Sequence, residues 1–184
     1  VNKWFVGGAT FNSPSQSLYI SNNEGVSNAY GGTTSTTQAY RDIEMPATTL
    51  GQLHLSFDWK GIGENNADYM RVWLVPISFT PTPGNQITAG AGRMQIGTNY
   101  TQQVTWKTEN VVFTAPATWS GQTLRLVFEW RNNGSTFNLP PAAVDNINFS
   151  IVTCSAPSNL AVVSTTENAA TFSWNAPTGT APDS

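Results

Sequence analysis

Hydrophobic and polar positions alternate with a period of two along several stretches of this chain, most fully from Leu53 to Pro76. Leu53, Leu55, Phe57 and Trp59 share one face of a strand, and His54, Ser56, Asp58 and Lys60 share the other. After a polar loop, Met70, Val72 and Leu74 alternate with Arg71, Trp73 and Val75. Such alternation predicts half-buried antiparallel strands rather than a helix, and the two runs read as a hairpin. Between them Gly61, Gly63, Glu64, Asn65, Asn66 and Asp68 make a loop rich in oxygen ligands.

The same pattern extends in both directions. Trp4 and Val6 mark a first strand, and Leu18 and Ile20 a second, followed by the turn signal Asn22-Asn23-Glu24-Gly25. The run Gly31–Thr37 is low in complexity and predicts a loop, and Ala39–Met45 predicts a short strand closed by Pro46. Phe79–Gly92, rich in Pro and Gly, predicts a long surface loop of the kind that often carries function. Arg93–Ile96 reads as a short edge strand, and Trp106–Thr114 as a longer one with Val111 and Phe113 inward. In Thr123–Arg131, Leu124, Leu126, Phe128 and Trp130 point one way. Glu129 points the other way with Arg125 and Arg131, as a cross-strand charge pair on a solvated face.

The last strand of this series, Ala143–Val152, places Asp145 in phase with Ile147, Phe149 and Ile151, on the apolar face. An unpaired buried charge is costly, so Asp145 must meet backbone donors, an arginine such as Arg41 or Arg71, or a cation. About nine strands with no helical period define an all-β fold, an antiparallel two-sheet jelly-roll β-sandwich.

Composition supports a packed domain: 39% of residues are hydrophobic, and seven are Trp. Charged residues make up only 10%, well under the roughly one quarter usual in soluble domains. With a net charge of −3 and no basic run, the chain lacks the electrostatic footprint of a nucleic-acid binder. No apolar run has the length needed to span a membrane. The chain opens in a strand without a signal peptide, as a mature or trimmed segment does. A single cysteine, Cys154, has no internal disulfide partner and reads as a buried structural thiol. Composition then shifts at Cys154-Ser155-Ala156-Pro157, which divides the chain into residues 1–153 and 154–184. In the second part Leu160 and Val162 alternate, and after a turn so do Ala170, Phe172 and Trp174.

The strand Ser17-Leu18-Tyr19-Ile20-Ser21-Asn22 with its Gly25 turn is one of an ordered series of short motifs. Ala39-Tyr40-Arg41, Phe57-Asp58-Trp59, Asp68-Tyr69-Met70-Arg71-Val72, Leu124-Arg125-Leu126 and Ala143-Val144-Asp145-Asn146-Ile147 follow it. In that order the first domain resembles the MAM-like jelly rolls of bacterial surface proteins, including the cleaved-adhesin domains that follow the gingipain proteases. The segment 154–184 resembles a linker and the first strands of a truncated fibronectin type III domain, with Pro157 as entry proline and Trp174 as core tryptophan. The resemblance implies a non-catalytic extracellular module at the bacterial cell surface, used in adhesion or in binding a glycan or protein, often with structural calcium. In such proteins its partners include the neighbouring domains of the parent chain. Asn22, Asn23 and Glu24 are the nearest equivalent of the acidic run that holds that calcium.

Three kinds of site follow from the residues. Calcium takes six to eight oxygens, and Asp145 with Asn22, Asn23 or Glu24 supplies a candidate set, with Asp58 and Asp68 as a second. The competing role for Asp145 is to cap backbone amides or pair with an arginine. A sugar site needs an exposed aromatic platform with polar neighbours, and Trp73, Tyr100 and Trp119 are the candidates, with Trp106 also near a turn. Catalysis finds little footing. His54, Ser56 and Asp58 are sheet neighbours without the context of a nucleophilic triad. No spacing singles out a carboxylate pair among Glu64, Asp68, Glu109 and Glu129. The chain therefore reads as a non-enzymatic binding module, with an accessory or spacer domain of a secreted peptidase or glycan hydrolase as the alternative.

Overall fold

β4 (Gln52–Gly61) and β5 (Tyr69–Pro76) are adjacent in sequence but do not pair with each other. In the computed structural model, which describes residues 1–47, 51–152 and 158–175, they lie in opposite sheets. The hairpin expected for Leu53–Pro76 is therefore a crossover between layers. Alternation reports which face of a strand is buried and is silent about which strand lies beside it. Two strands that each bury one face satisfy the pattern equally well side by side or face to face across a core.

The remaining strands are β1 (Lys3–Gly7), β2 (Ser17–Ser21), β3 (Ser35–Glu44), β6 (Met94–Tyr100), β7 (Gln103–Thr114), β8 (Thr123–Asn132) and β9 (Ala143–Val152). One sheet has the order β1-β2-β9-β4-β7, and the other β3-β8-β5-β6. Every pairing is antiparallel, and the pairs nest: β5 with β6, β4 with β7, β3 with β8, β2 with β9. A long hairpin of nested pairs, rolled into two facing sheets, is the jelly-roll winding. β3 begins at Ser35, inside the Thr-rich run expected to be a loop, because β-branched Thr suits a pleated strand.

The core lies between the sheets. Leu53, Leu55 and Phe57 are fully buried and Trp59 nearly so, in one cluster with Met70, Val72, Leu74, Leu124, Leu126, Phe128 and Trp130. Phe57 meets Phe128 edge-on across the layers at 5.6 Å between ring centroids. Each such side chain contributes on the order of 1.5–3 kcal/mol by leaving water.

A second, smaller core sits outside the four-stranded sheet. The long segment after β5 folds back over that sheet, and Ile87 packs with Trp73, Val75 and Val127, with Phe79 against them. Beneath this cover Glu129 is 1% exposed. Arg71 donates to its Oε1 through Nε at 3.0 Å and through a shorter bond from the terminal nitrogen. The amide of Ile87 donates to Oε2 at 2.8 Å and the side chain of Gln38 at 3.1 Å. The solvated Glu129–Arg125–Arg131 arrangement is thus corrected. Arg125 pairs instead with Asp42 at 2.7 Å, and Arg131 donates to the carbonyl of Ala67.

β10 (Ser158–Thr166) and β11 (Ala169–Asn175) form a two-stranded sheet paired only with each other. Val162 lies opposite Phe172, and both are more than half exposed, as are Leu160 and Trp174. Cys154, Pro157 and the boundary between 153 and 154 lie outside the described residues. Among the described residues no helix is long and apolar enough to cross a membrane.

Removing the Glu129 carboxylate leaves Arg71 buried without its counter-charge. Glu129→Ala is expected to lower the unfolding free energy by about 3–5 kcal/mol, the usual cost of breaking a buried pair. A lowered urea midpoint at unchanged slope checks it, and an unchanged midpoint refutes it.

Candidate functional site

The edge strands β1 and β3 of the two sheets come together on one side of the sandwich, and between them lies a cleft of about 580 Å³. Its walls are held by hydrogen bonds made in the fold itself. Asn2, only 5% exposed, takes the amide of Gly31 on Oδ1 at 3.0 Å. Its Nδ2 donates to Ser35 Oγ and Asn132 Oδ1, each at 3.0 Å. The indole of Trp4 donates to the carbonyl of Thr37 at 3.1 Å, which sets the ring's orientation in the cleft wall. On the far side a turn brings the amide of Gly84 to the carbonyl of Thr36 at 2.8 Å. Gly84 has φ +89, a backbone conformation that glycine adopts at no steric cost. Gln38 closes that side, donating to the carbonyl of Asn85 at 2.8 Å. Residues of the Thr34–Thr37 run, Val1 and Lys3 complete the lining, and no Asp or Glu contributes to it. The hydroxyls of Thr34 and Ser35 are tied to Asn133 and Asn132. In the sequence Trp4 marks only one face of a first strand, residues 34–37 belong to a low-complexity run, and Gly84 lies in the long Phe79–Gly92 loop; nothing there joins them, and Trp4 also packs against the main core. Two strands 30 residues apart make the cleft only because both sit at sheet edges.

The aromatic residues expected as sugar platforms lie elsewhere. Trp73, Tyr100 and Trp119 are 2%, 3% and 4% exposed, so none can stack on a ligand, and that expectation is corrected. Trp73 does point away from Met70 and Leu74, but the segment around Ile87 covers it and Arg71 lies over its ring at 5.0 Å. Tyr100 meets Phe57 and Trp59 edge-on at 5.3 and 5.1 Å, and burial pushes its phenol up to about 12. Trp119 belongs to the main core from a short 3-10 turn. Trp106 is half-exposed on the outer face of the five-stranded sheet, with the ammonium of Lys60 5.1 Å from its ring centroid.

Asp145 also departs from expectation. Ser56 lies opposite Asn148 but Asp58 lies opposite Asp145, so β9 carries one extra residue, with Asn146 at φ 49. This bulge reverses the alternation: Val144 and Phe149 both pack toward the core although five positions apart, and Asp145 turns to the outer face. There it stands level with Asp58, and two asparagines clamp the pair. Asn12 donates its amide N–H to Asp145 Oδ2 at 2.7 Å and its side-chain Nδ2 to Asp58 Oδ2 at 2.8 Å. Asn146 repeats the arrangement, with its N–H on Asp145 Oδ1 at 2.8 Å and its Nδ2 on Asp58 Oδ2 at 2.6 Å. Ser13 N–H adds a bond to Asp145 at 2.9 Å, and Thr108 Oγ1 one to Asp58 at 2.5 Å.

Asp145 therefore caps backbone amides. The register rules out its grouping with Asn22, Asn23 and Glu24. Val144 faces Leu18, so Asp145 is level with Ser17, and Asn22 lies five residues further along. At about 3.3 Å per residue that is roughly 16 Å. Asn23 is occupied in its own turn, accepting from Ser21 Oγ at 2.7 Å and Ser27 N–H at 3.1 Å. Asp68, the other calcium candidate, is fully buried and accepts from Tyr30 OH at 2.6 Å and Asn133 N–H at 2.9 Å. Burial and that carboxylate hold the Tyr30 phenol far above its ordinary range. Among the described residues no group of three or more His, Cys, Asp or Glu is placed to hold a metal ion. His54 meets Asn110 at 3.2 Å.

No family model matches the chain, and no curated protein does. Among solved structures it is similar to the enzymatically active domain of tailspike protein 4 of bacteriophage CBA120, at 14% identity and a TM-score of 0.51. The match covers 83% of this chain, which spans 18% of that one. At this identity the likeness shows the fold alone, an all-β sandwich.

The hydrogen bond from Thr108, then that from Asn146, holds the Asp58 carboxyl below its usual range against the opposing effect of burial. A depressed folded value means that the clamp stabilises fully above the unfolded carboxyl range, near pH 4. That stabilisation is lost as pH falls through the folded value. Asp58→Ala, which strips acceptors from Asn12, Asn146 and Thr108, is expected to cost about 1–3 kcal/mol at neutral pH. The gap from wild type should narrow on acidification, read by urea denaturation across the acid range. A gap independent of pH refutes the role given to the ionised carboxylate.

Proposed function

We propose that this chain is a non-catalytic binding and adhesion module for a glycan or extracellular protein ligand, within a multidomain protein secreted or displayed at the bacterial surface. The observation that carries this reading is the preformed cleft between β1 and β3. Its size is that of a small-ligand site, and its lining combines Trp4 with uncharged polar residues. Because its walls are tied by the fold, binding there costs little ordering. The acidic side chains fit the same reading. Asp58, Asp145, Asp68 and Glu129 each accept several hydrogen bonds that tie loops to the sandwich, which is structural work. The low charge content, and the resemblance to surface-protein jelly rolls, supply the extracellular setting.

The β10–β11 hairpin favours the second reading, an accessory or spacer domain beside a neighbour. Its Leu160, Val162, Phe172 and Trp174 leave an apolar face open, as the first strands of a fibronectin type III module do before the remaining strands cover them.

Labelled full chain applied to a glycan array and to immobilised matrix proteins separates the two. Saturable binding that weakens at least tenfold in Trp4→Ala, with the fold verified by circular dichroism, is the expected outcome; tenfold corresponds to about 1.4 kcal/mol. No binder at about millimolar ligand, roughly −4 kcal/mol, would leave the spacer reading in place.

A further inference from the structure

β7 (Gln103–Thr114) is the last strand of the five-stranded sheet and pairs only with β4, so its other side is an open edge. At twelve residues it is the longest strand among the described residues, and none of the twelve is buried. Open edges invite pairing with another chain, and proteins blunt them with short strands, proline, covering segments or lysine. The other edges here are blunted. β1 and β6 have five and seven residues, and Gly84 takes the Thr36 carbonyl of β3. β7 has no proline, and no segment among the described residues hydrogen-bonds along its outer side. Its one lysine, Lys107, lies two residues from Glu109, and the two form a partly exposed ion pair at 3.3 Å.

We propose that β7 pairs antiparallel with β7 of a second copy of this chain, across a two-fold axis at Thr108. The sequence is self-complementary about that position. Counting outward from Thr108, Lys107 falls opposite Glu109 of the second copy and Trp106 opposite Asn110. Lys107 and Glu109 of both copies then form a square of charges that alternate in sign. Opposite charges facing each other across an antiparallel pair stabilise it, and like charges destabilise it. Partners must both aim their backbone groups at the shared edge, which places the axis on a residue and not between two. Moving it to Lys107 or to Glu109 sets that residue against its own copy, so the charges select Thr108 among neighbouring registers. The lysine that repels an unmatched strand is the one that the chain's own copy satisfies.

At one end Gln103 folds back onto the Thr105 carbonyl at 2.8 Å, and pairing with β4 is irregular between Lys107 and Gln103. The shared ladder is therefore short, centred on residues 106–110. Just beyond it Val112 comes near Val104 of the second copy; they are 54% and 64% exposed in the single chain, and pairing shields both from water. A contact of this kind is smaller than the roughly 1,200 Å² of a standard interface, so the dimer is weak. β1 stands at the opposite end of the sheet, so the contact leaves the β1–β3 cleft of each copy open. It is independent of what the cleft binds, and it joins two clefts in one particle, which raises avidity.

The test is sedimentation equilibrium of the full chain from about 10 µM to 1 mM, a range suited to a weak contact. Wild type is expected to pass from monomer to dimer and no further, because a two-fold contact closes on itself. Lys107→Glu and Glu109→Lys each set like charges opposite one another on both sides of the axis, and each should weaken the dimer about tenfold. Both change exposed or partly exposed side chains, and circular dichroism verifies the fold. Mixed in equal amounts, the two variants should recover the dimer, since every facing pair is again of opposite sign. A wild type that stays monomeric throughout the range overturns the proposal, as does assembly beyond the dimer. A dimer that both variants leave unchanged also overturns it and places the contact elsewhere, as on the open face of the β10–β11 hairpin. Weakening in both variants without recovery on mixing overturns the register.

Discussion

The structure depends on one constraint: the apolar face of β4 has to be buried against a second sheet. Leu53, Leu55, Phe57 and Trp59 leave water together, and their contacts come from β5 and β8 across the core rather than from β5 alongside. Once β4 and β5 face each other, the segment between them must cross between layers. The nested pairings of β4 with β7, β3 with β8 and β2 with β9 follow in turn. The long crossing segments created by this winding then become available to seal or shape the outer faces.

The two outer faces are finished differently. On the four-stranded sheet the segment around Ile87 forms a small core of its own and buries the Arg71–Glu129 pair. An ion pair so covered adds little net stability but strongly penalises any arrangement that separates its members. It therefore fixes where that segment lies. On the five-stranded sheet the Asp58–Asp145 clamp does the equivalent for the loop carrying Asn12 and Ser13. Both devices use carboxylates as acceptors for backbone and amide donors, consistent with so few charges being present at all. The cleft is formed where these arrangements end, at the edge where β1 and β3 approach and the covering segment contributes Gly84.

Much of the fold was legible in the chain. Period-two alternation located most of the strands, and the inward residues of β4, β5 and β8 are buried. Binary pattern is a local consequence of burying one face, so it survives without knowledge of partners. What it could not carry was the site. Alternation puts Trp73 on the outer face, yet that face is covered by Ile87 and Phe79 from the segment after β5. The same alternation puts Asp145 on the wrong face, because a bulge of one residue, which leaves no strong mark in the sequence, reverses every side chain beyond it.

By itself, then, the sequence determined an all-β sandwich, its core residues and a polar surface of low charge, since hydrophobic period and composition act residue by residue. Tertiary structure alone decided which strands are neighbours, which aromatic rings are covered and where a cleft opens. The physical reason is that exposure and convergence depend on what packs against a face from elsewhere in the chain. The Leu53–Pro76 stretch shows both halves: its burial pattern was plain from its residues, and its division between two sheets was not.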